Sequence, residues 1–120
     1  VLLLSDGKDE ASHFDLDGVL AVAQRVGVTV YAIGMRELAR DKTARRLLRQ
    51  IARETGGQSY FIEEPAELPG IYQAIQDDLR SQYLIAYQSA SDKDPSQLRL
   101  VRVEVDERGV EVRALSGYYP

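Results

Sequence analysis

The apolar positions of the first 80 residues follow two alternating patterns. Short continuous apolar or β-branched runs predict buried strands. These runs cover residues 1–4, 28–33 and 58–62. After each run, apolar residues recur at helical spacing, with Asp15 or Asp17, Thr43 and Pro65 placed to open the three helices. Strands that alternate with helices favour a parallel sheet with helical crossovers.

The pattern changes after residue 82, where apolar segments follow one another without helical spacing between them. They predict antiparallel strands at 83–87, 98–105 and 110–115. Residues 106–109 predict a hairpin turn with Gly109 at a position of positive φ, and a β-bulge near Leu100 would bring the apolar residues onto one face. The predicted fold class is therefore α/β, a partial doubly wound parallel sheet followed by a small antiparallel β-meander.

Composition narrows the class of protein. Hydrophobic residues make up 44% and charged residues 28% of the 120 positions, which is too apolar for a disordered chain. The net charge of -4 argues against a nucleic-acid partner, since phosphate binding favours a basic surface. The chain has no cysteine, so disulfides and thiolate metal sites are excluded, and no apolar run approaches the ~20 residues that span a bilayer.

Asp6 is the first candidate for chemistry. In an open parallel sheet, ligands bind beyond the carboxyl ends of the strands, and Asp6 directly follows the first predicted strand. A carboxylate at that edge suits a hard cation such as Mg²⁺, and Ser5, Asp9 and Ser12 offer further oxygens in the same segment. The alternative is that Asp6 merely caps a turn.

Three segments carry a family resemblance. The runs VLLLSDGKDEAS, VTVYAIGM and GGQSYFIEE are similar, in order and spacing, to the fourth, fifth and sixth strands of von Willebrand factor A-type (VWA) domains. The tail, with QYLIAY and a closing SGYYP, resembles a bacterial VWA-related family that is abundant in acidobacteria. The resemblance implies that residues 1–82 are the C-terminal half of a VWA domain and that residues 83–120 are an antiparallel β-subdomain.

The resemblance also implies a function. VWA domains hold Mg²⁺ or another divalent cation at a metal-ion-dependent adhesion site, and of that site this chain carries the Asp of the (Ser/Thr)-Asp-Gly turn, Asp6. The Asp-x-Ser-x-Ser loop of the family is absent from the sequence, so cation binding is expected to need a missing N-terminal half. The expected activity is protein–protein or ligand binding rather than catalysis, with an acidic side chain of a protein partner completing the metal shell. The expected location is secreted, periplasmic or on the cell surface.

A second resemblance points to an enzyme. The run FDLDGVL matches the signature of haloacid dehalogenase-like phosphatases, in which Asp15 would be the nucleophile and Asp17 the general acid/base with Mg²⁺. That chemistry requires the first Asp at the end of a buried strand, whereas residues 9–13 are polar and the apolar spacing through Val26 indicates the entry to a helix. A metal-independent structural module is a further alternative.

The single histidine and a cluster of basic residues are the two remaining candidates for function. His13 is the single histidine and is expected to be a solvated loop residue. The basic cluster contains Arg36, Arg40, Lys42, Arg45, Arg46, Arg49 and Arg53. It predicts either a solvated helix face paired with Asp41 and Glu54 or a docking surface for an acidic partner. Without a neighbouring strand, the first strand would be an exposed apolar edge, so the chain alone is expected to be marginally stable or oligomeric.

Overall fold

The computed structural model describes residues 1–6, 16–88 and 94–120 of the chain. In chain order the elements are β1 (Leu2–Ser5), α1 (Leu16–Val26), β2 (Tyr31–Met35), α2 (Arg36–Arg40), α3 (Lys42–Glu54), β3 (Ser59–Ile62), a short 3₁₀ turn (Pro65–Glu67), α4 (Leu68–Arg80), β4 (Arg99–Leu100) and β5 (Gly117–Tyr118). The alternation of strands and helices confirms the predicted α/β class.

The main sheet has three parallel strands in the order β1-β2-β3. Leu2 pairs with Tyr31 at one end and Ser5 with Gly34 at the other, while Met35 pairs with Ile62 on the opposite side of β2. All five residues of β2 are buried because the strand has a hydrogen-bonded neighbour on each side. The parallel arrangement places the carboxyl ends of all three strands at one edge of the sheet.

Helices cover both faces of this sheet and form two apolar clusters. On one face, Tyr31, Ile33 and Met35 of β2 pack with Ile71 and Ile75 of α4. The second cluster joins α1, α3 and the approach to β2, and it consists of Ala23, Val30 and Ile51 with the partly buried Leu3, Val19, Leu20 and Val28. Helix packing on both sides is the arrangement that a doubly wound sheet requires.

The second strand begins later than the sequence predicted. Residues 28–30 are apolar and β-branched, but the N–H of Val30 donates to the hydroxyl Oγ1 of Thr55 at 3.0 Å instead of to a strand carbonyl. The strand therefore starts at Tyr31, whose N–H bonds to the carbonyl of Val1 at 2.8 Å.

The second strand also continues beyond residue 33, where the predicted run ended, and includes Gly34 and Met35. A Cβ at Gly34 would lie 2.6 Å from Cδ2 of Leu38 and 2.9 Å from Cδ1 of Phe61. Glycine at this position thus permits close packing of α2 against the sheet. The chain turns two residues later, at Arg36, where φ is +52°.

Asp41, and not Thr43, caps α3. Its side chain accepts hydrogen bonds from the N–H groups of Thr43 at 2.8 Å and Ala44 at 3.1 Å. The helix begins at Lys42, two residues before the start that a cap at Thr43 would give. Sequence spacing alone did not distinguish the two capping side chains, since both types serve at this position.

The C-terminal part contains a small antiparallel sheet, but its strands are fewer and shorter than predicted. Strands β4 and β5 pair with Arg99 opposite Tyr118 and Leu100 opposite Gly117. Residues 83–87 and 110–115 contain no strand, although Leu115 forms an isolated antiparallel bridge with Thr55. Gly109 has the expected positive φ of +80°. Alternating apolar residues favour a strand, but a strand forms only where a partner supplies hydrogen bonds.

Candidate functional site

Asp6 lies at the carboxyl edge of the sheet, directly after the last residue of β1. It is half-buried and lines a shallow depression together with Leu4, Ser5, Met35 and Arg36. The depression lies beyond the ends of β1 and β2, which is where α/β sheets hold their ligands. The sequence-based placement of Asp6 at this edge agrees with the structure, while its role as a cation ligand stays a prediction.

The described residues offer a cation an incomplete set of ligands. Ser5 and Asp6 line the same depression, whereas Asp9 and Ser12 fall outside the described residues. Across residues 1–6, 16–88 and 94–120, no group of three or more His, Cys, Asp or Glu side chains could hold a metal ion. Mg²⁺ requires six oxygens in nearly octahedral geometry. These residues therefore do not form a complete metal site, although Asp6 could be one of its ligands.

Arg36 is the unusual residue beside Asp6. Its φ of +52° lies in the left-handed region, which is uncommon for a residue with a side chain, and it joins β2 directly to α2. Such conformations cost of order 1–3 kcal/mol and persist where the surrounding structure fixes them. Here β2 and α2 leave no connecting residue between them, so the reversal of direction falls on this one residue.

Of the two phosphatase candidates, Asp17 lies in a helix of the described structure and not after a strand. Helix α1 begins at Leu16, and Asp17 is an exposed residue of its first turn. Asp15 and His13 lie outside the described residues. The helix-entry interpretation is therefore confirmed for Asp17, since a phosphatase nucleophile and its partner would have to follow a buried strand.

Several residues of the basic cluster have partners within the fold. Nε and Nη2 of Arg40 donate to the carboxylate of Glu63 at 3.0 and 2.6 Å, and this pairing holds the pKa of Glu63 below its ordinary value. The guanidinium groups of Arg45 and Arg49 lie 4.5 and 5.2 Å from the ring centre of Phe61. The ion-pair partner is thus Glu63 rather than the expected Asp41, whose carboxylate caps α3.

The sequence did not predict a network of hydrogen bonds and an ion pair that lies at the amino end of the sheet, opposite Asp6. The hydroxyl of Tyr31, the first residue of β2, donates to the carboxylate of Asp78 on α4. The guanidinium of Arg113 binds both oxygens of the same carboxylate and also donates to Oε1 of Gln58 at 3.0 Å. Burial, reinforced by the hydrogen bond and the charge of Asp78, raises the pKa of Tyr31 to about 12. No local sequence pattern signals this network, because its members belong to four separate parts of the chain.

Comparison with known proteins supports the fold and its family. Residues 1–74 match the family model "von Willebrand factor type A domain". A solved structure, the crystal structure of an uncharacterized membrane spanning protein from Vibrio fischeri, is 28% identical over 64% of this chain with a TM-score of 0.51. This chain covers 45% of that chain, and thus less than half of its length. A search of curated proteins found no match.

The family match covers the parallel sheet and the helices that pack on it. It includes β1 with Asp6, β2, β3 and the first half of α4. Within the described ranges, no helix is both long enough and apolar enough to cross a membrane. On the extent of the family match, the chain belongs to the von Willebrand factor type A domain family.

Proposed function

We propose that this chain is a protein-interaction module in which Asp6 supplies one ligand of a divalent-cation site. VWA domains are generally interaction modules rather than enzymes, and many depend on a metal ion. The observation that carries the proposal is the position of Asp6 at the carboxyl edge of the parallel sheet, beside the ends of β1 and β2. The family resemblance implies Mg²⁺ or another divalent cation.

The chain alone should bind the cation weakly. A single carboxylate leaves most coordination positions to water, and Arg36 brings a positive charge to the same depression. The missing oxygens would come from the Asp-x-Ser-x-Ser loop of the family and from an acidic side chain of the partner protein, with Ser5, Asp9 and Ser12 in the layer around the ligands. This arrangement couples partner binding to the cation, because neither completes the site without the other.

The proposed location follows from the family rather than from the geometry. VWA domains are often extracellular, so we propose a secreted, periplasmic or surface-exposed protein. An interaction that needs a divalent cation is compatible with those compartments.

The decisive experiment is a calorimetric titration of Mg²⁺ and Mn²⁺ into the 120-residue chain and into the natural polypeptide that contains it. For each protein, Asp6→Ala is compared with Asp106→Ala, a matched change at an exposed carboxylate in the remote turn. We expect the natural polypeptide to bind the cation and Asp6→Ala to lower that affinity by at least about tenfold. Asp106→Ala should have no effect.

Equal affinities in the parent protein and in Asp6→Ala would contradict the role of Asp6. If neither cation binds either protein, the metal-independent structural module becomes the better interpretation.

A further inference from the structure

The amino-acid sequence of residues 82–88 is nearly palindromic. The sequence QYLIAYQ is symmetric about Ile85 except that Leu84 stands where the mirror position has Ala86. The segment contains no charge, no glycine and no proline, and it includes two tyrosines and the β-branched Ile85. This composition favours an extended strand with cross-strand neighbours.

The structure leaves this segment uncovered. Its large apolar side chains are exposed, with Tyr83 at 93%, Leu84 at 97%, Ile85 at 73% and Tyr87 at 64% of their full accessible surface. No backbone hydrogen bond joins residues 82–88 to any other residue that the structure describes. Two side-chain hydrogen bonds hold it among the described residues, one at each end: Nε2 of Gln82 donates to the hydroxyl of Tyr31 at 3.4 Å, and the hydroxyls of Tyr87 and Tyr118 lie 3.2 Å apart. A run of unpaired backbone groups with apolar side chains is a template for another strand.

We propose that two copies of this chain pair through residues 82–88 as antiparallel strands related by a twofold axis at Ile85. A twofold contact uses the same patch on both copies, so each residue must suit its mirror position. In this register Tyr83 faces Tyr87 of the partner copy and Ile85 faces itself. Leu84 faces the small Ala86, and the two glutamines at the ends face each other.

The symmetric register also gives the pair of strands one apolar face. Side chains alternate between the two faces of a strand, so Tyr83, Ile85 and Tyr87 share one face. Pairing two copies brings four tyrosines and two isoleucines together on that face. A shift by one residue would place Tyr83 opposite Ala86 and leave the aromatic side chains without aromatic partners.

The dimer leaves the carboxyl edge of the sheet free. Asp78, near the end of α4, contacts Tyr31 at the amino end of β2, so residues 82–88 leave α4 at the edge opposite Asp6. The inference is therefore independent of the cation proposal, and either can fail without the other.

The expected dimer is weak. Each cross-strand pair contributes about 0.2–1 kcal/mol, and two paired strands bury less than the roughly 1,200 Å² of a stable interface. We expect a dissociation constant above about 1 µM, so that the dimer depends on protein concentration.

Single cysteines test the register, because the natural chain has none. In the proposed pair, Cβ atoms at position 85 are about 5 Å apart across the axis, within reach of a disulfide. Position 84 faces position 86 of the partner copy, so the two positions 84 are diagonal to each other. Their Cβ atoms are about 8 Å apart, beyond the usual disulfide range. Under mild oxidation Ile85→Cys should cross-link at least about ten times faster than Leu84→Cys or Tyr83→Cys. A mixture of Tyr83→Cys and Tyr87→Cys should give the mixed dimer.

Sedimentation equilibrium tests the unmodified contact. The parent chain should show a monomer–dimer equilibrium, and Ile85→Pro should abolish it because proline removes a backbone donor from both strands. Circular dichroism should show an unchanged fold, since position 85 bonds to no described residue. Leu4→Lys, at the exposed edge of β1, is the matched control and should leave the dimer intact.

Three results would overturn the proposal. They are a parent chain that stays monomeric at all concentrations, equal cross-linking rates at positions 83, 84 and 85, and loss of the dimer in Leu4→Lys but not in Ile85→Pro.

Discussion

At the residue scale, Thr55 has the most demanding position in the described structure. It is 1% exposed, and its hydroxyl accepts the N–H of Val30 at 3.0 Å while lying 2.8 Å from the carbonyl of Ile51. It also pairs through its backbone with Leu115. Thr55 therefore lies where three parts of the chain meet: its hydroxyl bonds to the end of α3 and to the residue before β2, and its backbone pairs with the C-terminal segment.

Thr55→Val should destabilise the chain by about 1–3 kcal/mol, because it leaves the buried N–H of Val30 without an acceptor. Thr55→Ser keeps the hydroxyl and should cost less than about 1 kcal/mol for the lost methyl group. Urea unfolding measures both values. Equal losses in the two variants would show that the hydroxyl contributes nothing beyond packing.

At the scale of single elements, the start of α3 depends on one carboxylate. Asp41 accepts two backbone N–H groups of the first turn, and its negative charge is favourable at the positive end of the helix. Helix α2 ends at Arg40, immediately before it, so the cap also fixes where one helix stops and the next begins.

Asp41→Ala should lower the free energy of unfolding by about 0.5–2 kcal/mol, since two N–H groups lose their acceptor. Thr43→Ala, at the exposed neighbouring position, should change it by less than about 0.5 kcal/mol. Thermal melting of both variants checks the assignment. A larger effect at Thr43 would return the capping role to the residue that the sequence first indicated.

The elements show how far hydrophobic spacing predicts a structure. Apart from the short α2, which the spacing did not predict, the order of strands and helices through α4 was predictable because each element buries one face and repeats at its own period. The start of β2 was not predictable, because the acceptor for Val30 is Thr55, which is distant in sequence. Residues 83–87 have the composition of a strand but no partner among the described residues, and strand formation depends on that partner.

Only some of the site residues could be placed from the sequence. Asp6 could be placed from sequence because a buried strand followed by a polar turn fixes which edge it reaches. Asp78 and Arg113 gave no such signal, since only the folded chain brings α4 and the C-terminal segment to Tyr31.

At the scale of the whole molecule, this network joins the sheet, the last helix and the C-terminal segment. Tyr31 belongs to β2, Asp78 to α4, and Arg113 to the segment before β5. The raised pKa of Tyr31 makes the network sensitive to alkaline pH. A folded-state pKa of about 12, against about 10 for a free tyrosine, means that the fold favours the protonated phenol.

Tyr31→Phe should therefore lower stability by roughly 2 kcal/mol below pH 10, where the hydrogen bond to a carboxylate is intact. The stabilisation should be lost as pH rises from about 10 to about 12, so the difference between the parent and the variant should shrink over that interval. Urea unfolding at several pH values measures it, with Tyr72→Phe on an exposed face of α4 as the control. A difference that stays constant from pH 8 to pH 12 would contradict the assignment.

The parallel register of the main sheet also governs the order in which the molecule can assemble. Leu2 can pair with Tyr31, and Ala32 with Ser59, only after the intervening chain has crossed over a face of the sheet. No tight hairpin can nucleate these pairings, and closing such long loops carries an entropic cost before any contact compensates for it. We expect α1 and α3 to dock before the sheet is complete.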